Sequence, residues 1–230
     1  MLDTNLKQQL KTYLQNLKTE VELVVSLDDS AKAAEVNQLA TDIAELSDLV
    51  SLRRDDNALT RKPAMLVRSV ANDTHITFAG VPLGHEFTSL VLALLHSGGH
   101  PIKVAADTIE QIRQLQGSFA FETYVSLSCQ TCPEVVQALN IMSAINPNIT
   151  NVMIDGAMFQ DEVAAKNIMA VPSVYLNGEL FSQGAITLEK IIQSPEIEYV
   201  IIVNRGPLYT SRTGYGSFDG DHFTHWTIAS

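Results

Sequence analysis

Cysteine and basic side chains are scarce in this 230-residue chain. It contains two cysteines, and 15 lysines and arginines against 26 aspartates and glutamates, for a formal net charge of −11. Such an acidic chain repels phosphate backbones and anionic lipid, so we expect neither nucleic acid nor a membrane as a partner. The plain interpretation of the charge is solubility.

Long apolar runs are also missing from the sequence. No stretch reaches the roughly 18 apolar residues that a transmembrane helix needs. The N-terminal segment is polar with helical periodicity, and it lacks the basic region and apolar core of a secretory signal. We therefore expect a cytoplasmic protein.

The two cysteines, Cys129 and Cys132, are three residues apart. A secreted scaffold held by disulfides has more cysteines, spread along the chain so that they join distant segments. A bridge between residues this close closes a very small loop, so it removes little entropy from the unfolded chain and stabilises little. The pair is therefore better explained by chemistry than by stability.

Two halves of the chain resemble each other. An offset of 100 residues places Ser26 on Ser126, and the segments around them, residues 21–27 and 122–128, are apolar and β-branched enough for buried strands. A polar turn and a run of helical periodicity follow each strand. These runs are residues 33–50 and 133–145.

The likeness continues after the helical runs. Pro63 and Pro172 each open a short apolar strand, a place that suits proline better than the middle of a strand. Asn-Gly separates residues 173–176 from residues 179–182, which predicts an antiparallel hairpin. Each half closes with a predicted helix, at residues 86–95 and 188–192.

Each half thus has the pattern strand–helix–strand–strand–helix. A parallel start and an antiparallel hairpin at the end predict a small mixed sheet with helices packed on it. The fold class is α/β with two tandem units. We expect the two sheets to join edge to edge, because joining removes exposed strand edges. The linker is expected near residues 98–101, followed by a connecting helix at residues 104–115.

The Cys-x-x-Cys pair, within residues 128–133, follows a predicted strand and opens a predicted helix. The first turn of a helix has unpaired N–H groups and the positive end of the dipole, and both favour a thiolate. Cys129, nearer the helix start, is predicted to be more exposed and to be the attacking nucleophile. Cys132, one turn in, is predicted to resolve the mixed disulfide. Pro133 is compatible with a first helical turn.

Three other interpretations of the pair are open. A structural disulfide is disfavoured by the small loop. A zinc site needs about four ligands, and the six histidines are scattered, with paired spacing only at His222 and His225 near the end of the chain. A coincidental pair is disfavoured by the strand-then-helix context.

Pro172 is a second candidate for the site. In dithiol enzymes of this architecture a cis-proline before the second pair of strands faces the active-site disulfide, so we predict a cis peptide bond at Pro172. The alternative is a trans proline that simply starts a strand.

The first half has no redox centre of its own, because Asp29 and Lys32 align with the cysteines. It could dock a partner, complete an extended sheet, or supply a charge to the site in the second half. Glu86 is the best candidate for that charge, since a carboxylate near a dithiol can accept a proton or tune the thiol pKa. Equally, Glu86 could be an acid favoured by the dipole at a helix N-terminus.

Residues 83–95 and 122–140 resemble the N-terminal domain of the bacterial alkyl hydroperoxide reductase flavoprotein subunit, and the similarity covers roughly residues 1–196. The resemblance implies a double thioredoxin-like (glutaredoxin-like) domain. Its first unit, residues 1–102, lacks the cysteines, and its second unit, residues 103–196, carries them.

The resemblance also implies a function and a set of site residues. Electrons would come from a flavoprotein reductase related to thioredoxin reductase and pass to the disulfide of a peroxiredoxin, which reduces hydroperoxides. Cys129 and Cys132 match the redox pair, Glu86 matches the glutamate near the dithiol, and Pro172 matches the cis-proline.

The end of the chain departs from the family. Residues 198–203 have the pattern of the first strand of a dinucleotide-binding domain. Asn204 and Arg205 then stand where a glycine-rich turn should cradle the FAD pyrophosphate, and their side chains would block its close approach. We therefore expect no FAD, NADH or metal on this chain, with FAD and NADH carried by the electron-donating reductase. Residues 197–230 are expected to be a poorly ordered remnant of that domain.

The sequence thus predicts a dithiol–disulfide relay between a flavoprotein reductase and a peroxiredoxin. A free-standing glutaredoxin-like protein disulfide oxidoreductase of broad specificity is the first alternative. An inactive fragment or scaffold is the second.

Overall fold

A computed structural model describes residues 2–204, apart from the side chains of residues 199 and 201–204. This part of the chain contains eight α-helices and eight strands. The strands are β1 (Val21–Ser26), β2 (Val50–Arg54), β3 (Ala64–Ser69), β4 (His75–Ala79), β5 (Phe119–Val125), β6 (Ile149–Asp155), β7 (Ser173–Leu176) and β8 (Glu179–Gln183). The helices are α1 (Thr4–Leu14), α2 (Ala31–Ala44), α3 (Phe87–Ser97), α4 (Ala106–Gln114), α5 (Cys132–Ile145), α6 (Gln160–Ala165), α7 (Leu188–Ile192) and α8 (Pro195–Asn204). A 3₁₀ turn, Gly84–Glu86, precedes α3.

All eight strands form one mixed sheet, in the order β2-β1-β3-β4-β6-β5-β7-β8. The two halves meet where β4 pairs in parallel with β6, with Ile76 opposite Asn151 and Phe78 opposite Met153. The predicted edge-to-edge joining of two mixed sheets is confirmed. Because β1, β2, β4, β5 and β6 run parallel, their carboxyl ends lie along the same side of the sheet.

Two strands were not predicted, and each has a physical reason. The helical run expected over residues 33–50 ends at Ala44, and β2 starts at Val50. β2 is an edge strand whose arginines are exposed, so its sequence lacks an apolar signal. In β6 the buried Asn151 interrupts the apolar run. Its carbonyl accepts a hydrogen bond from the Thr123 hydroxyl at 2.9 Å, and its amide donates to Asn140 at 2.8 Å.

The prediction of a strand over residues 198–203 is wrong, because this segment lies in the helix α8. In the described part of the chain, the sheet ends at β2 and β8, and neither edge pairs with this segment. A helix satisfies its backbone N–H and C=O groups internally, whereas an unpaired strand does not. The remnant of a dinucleotide-binding domain was expected over residues 197–230, and residues 205–230 of it lie outside the described part.

The main core cluster is built mostly from apolar side chains of β1, β3, β4 and the helices of the first half, and it extends into the second half through residues of β5, β6 and α5. A second cluster fills the space between β5, β7 and the helices α5 and α7. A third lies around Tyr124 and Tyr175 on β5 and β7. Successive strand residues point to opposite faces, so Glu122 and Tyr124 face away from Phe121 and Val125. None of the helices within residues 2–204 is long and apolar enough to cross a membrane.

Candidate active site

Cys129 and Cys132 form a disulfide with their Cα atoms 5.5 Å apart. β5 ends at Val125 and α5 begins at Cys132, so Cys129 lies in the turn between them. The backbone N–H of Cys132 donates a hydrogen bond to the Cys129 sulfur at 3.1 Å. Cys132 is thus the first residue of α5 and not one turn inside it as predicted, with Pro133 in that first turn.

The two cysteines differ in their access to solvent. Cys129 is partly exposed, whereas Cys132 is fully buried. This is the order of exposure that an attacking and a resolving cysteine require. An N–H group that points at the Cys129 sulfur stabilises negative charge there once the disulfide is reduced. The described residues contain no group of three histidine, cysteine or acidic side chains that could hold a metal ion.

The dithiol packs against the half that has no cysteines. Cys132 belongs to the main core cluster, and Cys129 packs against that cluster's edge. Leu83, Phe87 and Leu90, all from the first half, are part of the same packing. Because α3 packs directly on α5, the start of α5 is enclosed by residues of both halves.

Glu86 is held against the segment that leads to Cys129. The N–H of His85 donates to the Leu127 carbonyl oxygen at 3.2 Å. Gly84 has a φ of +60°, and a Cβ there would stand 2.8 Å from the same oxygen, so only glycine permits this approach. The 3₁₀ turn also contacts α5. Glu86 is therefore placed beside α5 by the two residues that precede it.

The carboxyl group of Glu86 is fully buried. Neither of its oxygens has a hydrogen-bond partner of ordinary geometry among the described residues. Burial raises the pKa of Glu86 to about 6, while the nearby Ser89 hydroxyl acts in the opposite direction. A carboxylate with this pKa can take up or release a proton near neutral pH.

The peptide bond between Val171 and Pro172 is cis, as predicted. Pro172 is buried, and Val171 packs against the same cluster as the two cysteines. The bond between Lys62 and Pro63 is cis as well. The alignment of the two prolines was the signal for it, but we predicted only the cis bond at Pro172. Both proline carbonyl oxygens accept a hydrogen bond from a glycine N–H, Gly184 to Pro172 at 2.8 Å and Gly80 to Pro63 at 3.0 Å.

A group of charged residues on the face of the sheet to which Glu122 points was not found from the sequence. Arg61, two residues before Pro63, forms ion pairs with Glu122 of β5 and Glu162 of α6. The hydroxyl of Tyr124 donates to Glu162 at 2.7 Å. A single arginine without a counterpart in the second half carries no pattern, so no sequence signal pointed to it.

Comparison with known proteins shows which proteins this chain resembles. The thioredoxin domain family matches residues 120–195. The AhpF subunit of alkyl hydroperoxide reductase of Pseudomonas putida is 49% identical over 235 residues, covering 93% of this chain and 45% of that protein. The AhpF subunit of Escherichia coli is 55% identical over 192 residues, covering 84% of this chain and 37% of that protein.

Solved structures agree with the sequence comparison. The NTD_N/C domain of the alkyl hydroperoxide reductase AhpF of Enterococcus faecalis superimposes with a TM-score of 0.77 at 28% identity, covering 87% of this chain and 100% of that one. The chain spans less than half the length of the two curated relatives. The chain is therefore similar in sequence to AhpF proteins over less than half of their length, and its fold is similar to that of the NTD_N/C domain of the AhpF of Enterococcus faecalis.

Proposed function

We propose that this chain is a thiol–disulfide oxidoreductase module that passes electrons from a flavoprotein reductase to the disulfide of a peroxiredoxin. One observation carries the proposal: the sulfur of the partly exposed Cys129 accepts a hydrogen bond from the backbone N–H of Cys132 at the start of α5. The names of the relatives, which are alkyl hydroperoxide reductase proteins, support hydroperoxide detoxification as the setting.

The exchange balances in sulfur, electrons and protons. The Cys129 thiolate attacks one sulfur of the partner disulfide, whose S–S bond breaks as the mixed disulfide forms. The released partner sulfur takes up a proton. Deprotonated Cys132 then attacks the Cys129 sulfur, which frees the partner's second sulfur and leaves the Cys129–Cys132 disulfide. This second partner sulfur leaves as a thiolate and takes up the proton that Cys132 gave up. Two electrons and two protons have then passed to the partner, and the reductase restores the dithiol.

Glu86 and Pro172 assist this exchange in our proposal. Cys132 is buried, so its proton cannot leave easily to bulk water. Glu86, beside the start of α5 with a pKa of about 6, is the proposed acceptor of that proton. Pro172 is proposed to face the dithiol and shape the surface on which the partner's disulfide docks, because Val171 packs with the cysteines.

The first unit, residues 1–102, is proposed to support the redox unit, residues 103–196. At the positions that correspond to the dithiol, the first unit has the Ser30 hydroxyl, which caps α2, and an exposed ion pair between Lys32 and Glu35. Neither group can exchange disulfides. FAD and NADH are assigned to the electron-donating reductase, and the described residues contribute only the dithiol step.

The competing function is a protein disulfide oxidoreductase of broad specificity, and one assay separates the two. The reduced chain is mixed with an oxidised two-cysteine peroxiredoxin and, separately, with insulin, and thiol transfer is followed. Fast transfer to the peroxiredoxin alone is the expected result. Comparable rates on both substrates would support the broad-specificity function, and no transfer to either would support an inactive scaffold.

A further inference from the structure

A single guanidinium joins the two halves on the face of the sheet to which Glu122 points. Arg61 donates through Nε and Nη2 to both oxygens of Glu162, at 2.8 and 2.7 Å, and through Nη2 to Glu122 at 2.6 Å. Its side chain is 16% exposed. Burial opposes its charge, but the hydrogen bonds to the two glutamates outweigh that effect and raise the pKa of Arg61 above its ordinary value.

The other end of this link is the short helix α6. It lies wholly within the described part of the chain, and none of its six side chains is fully buried. Val163 packs against the cluster around Tyr124 but is only partly buried, so the ion pair of Glu162 with Arg61 adds to this packing. Glu162, in its first turn, accepts hydrogen bonds from Arg61 and from the buried Tyr124 hydroxyl. Just after α6, the Lys166 ammonium lies 4.2 Å above the ring of Tyr175 and 3.7 Å from Glu122.

The chain runs from α6 directly to the dithiol site. Asn167 turns it with a φ of +51°, and Ile168 is buried while its N–H bonds the Val163 carbonyl at 3.0 Å. Met169 is then 91% exposed. Val171, which packs with the cysteines, is followed by the cis bond to Pro172. The position of α6 therefore sets where residues 166–171, the approach loop, begin.

We propose that Arg61 is a positioning residue for disulfide exchange, because it holds α6 and thereby fixes the approach loop beside the dithiol. The cysteine-free half thus sets the docking geometry of the redox half. This inference rests on the proposed function, since it assigns the approach loop to partner docking. Glutamine at position 61 keeps much of the side chain's length but loses the charge and the two-pronged donor geometry.

Steady-state kinetics of the full chain, kept reduced by a flavoprotein disulfide reductase and excess NADH, test the proposal. With an oxidised two-cysteine peroxiredoxin as substrate, Arg61→Gln is expected to raise KM about tenfold while kcat changes less than about twofold, because a weakened docking surface loses ground-state and transition-state binding alike. Reaction of the reduced variant with the small disulfide 5,5′-dithiobis(2-nitrobenzoic acid), which needs no docking loop, is expected to fall much less. Glu162→Gln breaks the same link from α6 and is expected to raise KM in the same direction.

Arg53→Gln is the matched control, since Arg53 is an exposed arginine on β2 that also pairs with two carboxylates, Glu22 and Asp55. Its KM is expected to equal that of the parent chain. Amide hydrogen exchange in the approach loop is expected to be faster in Arg61→Gln and Glu162→Gln than in the parent chain and in Arg53→Gln.

Several results would overturn the proposal. One is an unchanged KM in Arg61→Gln. Others are a parallel loss of reactivity with the small disulfide, or unchanged exchange in the approach loop. If the parent chain transfers nothing to the peroxiredoxin, the proposed function fails instead. In that case, amide hydrogen exchange in the approach loop and the KM for insulin, compared between Arg61→Gln and the parent chain, test the role of Arg61 independently of the peroxiredoxin.

Discussion

Replacement of Glu86 by glutamine separates the effect of the buried charge from that of side-chain shape. Glutamine has nearly the same size, and both residues place polar atoms in the same buried position. The ionised carboxylate alone carries the penalty of burial. Burial raises the pKa of Glu86 from an ordinary 4.5 to about 6. At about 1.4 kcal/mol for each pKa unit, ionisation lowers the free energy of unfolding by ~2 kcal/mol.

The sign of this effect fixes its pH dependence. Between pH 4.5 and about 6 the folded chain binds more of this proton than the unfolded chain does, so stability falls as the pH rises through that window. Below it, the carboxyl group is protonated in both states and the penalty is absent. We therefore expect Glu86→Gln to match the parent chain near pH 4 and to exceed its stability by ~2 kcal/mol above pH 7.

Urea unfolding of the oxidised protein at several pH values measures the difference. Glu45→Gln is the control, because Glu45 is exposed at the end of α2, far along the chain from the site. Its stability should follow that of the parent chain at every pH. A Glu86→Gln variant that is equally destabilised at pH 4 and pH 7 would refute the argument, since the effect would then arise from packing and not from charge.

The same variant should lose activity while it gains stability. If Glu86 accepts the Cys132 proton, the rate of the resolving step should rise with pH around 6 in the parent chain. Glu86→Gln should slow that step at least about tenfold and remove this rise. Rapid-quench measurement of mixed-disulfide decay from pH 5 to 8 shows both effects.

Three further predictions concern the site and its support. Cys129→Ser should abolish thiol transfer, whereas Cys132→Ser should accumulate mixed disulfides that non-reducing electrophoresis detects; normal transfer by Cys132→Ser would make our assignment of roles wrong. Gly84→Ala should lower the free energy of unfolding by about 1–3 kcal/mol, because its Cβ would meet the Leu127 carbonyl oxygen at 2.8 Å, and urea unfolding that shows no loss would contradict this. Asn151→Ala should lower the free energy of unfolding by about 2 kcal/mol in the same assay, because it leaves the buried side chains of Thr123 and Asn140 without their hydrogen bonds to Asn151.

The local features of the site were predictable from sequence because their signals are local. The spacing of Cys129 and Cys132 and their place between a strand and a helix required only neighbouring residues. The alignment of Pro63 with Pro172 placed both prolines at equivalent strand starts, and both peptide bonds are cis. The joining of the two sheets followed from the general disadvantage of exposed strand edges.

The features that the sequence did not predict depend on contacts between distant segments. β2 and β6 lack a clear apolar pattern, since one is an exposed edge and the other is interrupted by the hydrogen-bonded Asn151. The burial of Glu86 results from the packing of α3 on α5. Arg61 reaches Glu162 across 101 residues of sequence, and neither residue alone indicates the pairing.

The helix α8 shows how a resemblance can mislead. The apolar, β-branched run at residues 198–203 is typical of a buried strand, and the family likeness favoured the first strand of a dinucleotide-binding domain. A strand forms only where a neighbouring strand pairs with it. Within the described residues neither edge of the sheet, β2 or β8, pairs with this segment, and the segment is helical instead.

Alkylation of the reduced chain as a function of pH, read out by mass spectrometry, tests the central claim most directly. We expect iodoacetamide to modify Cys129 first, with an apparent pKa below the ordinary thiol value of about 8.5, while Cys132 stays protected. Preferential modification of Cys132, or an apparent pKa for Cys129 at or above the ordinary value, would contradict the account.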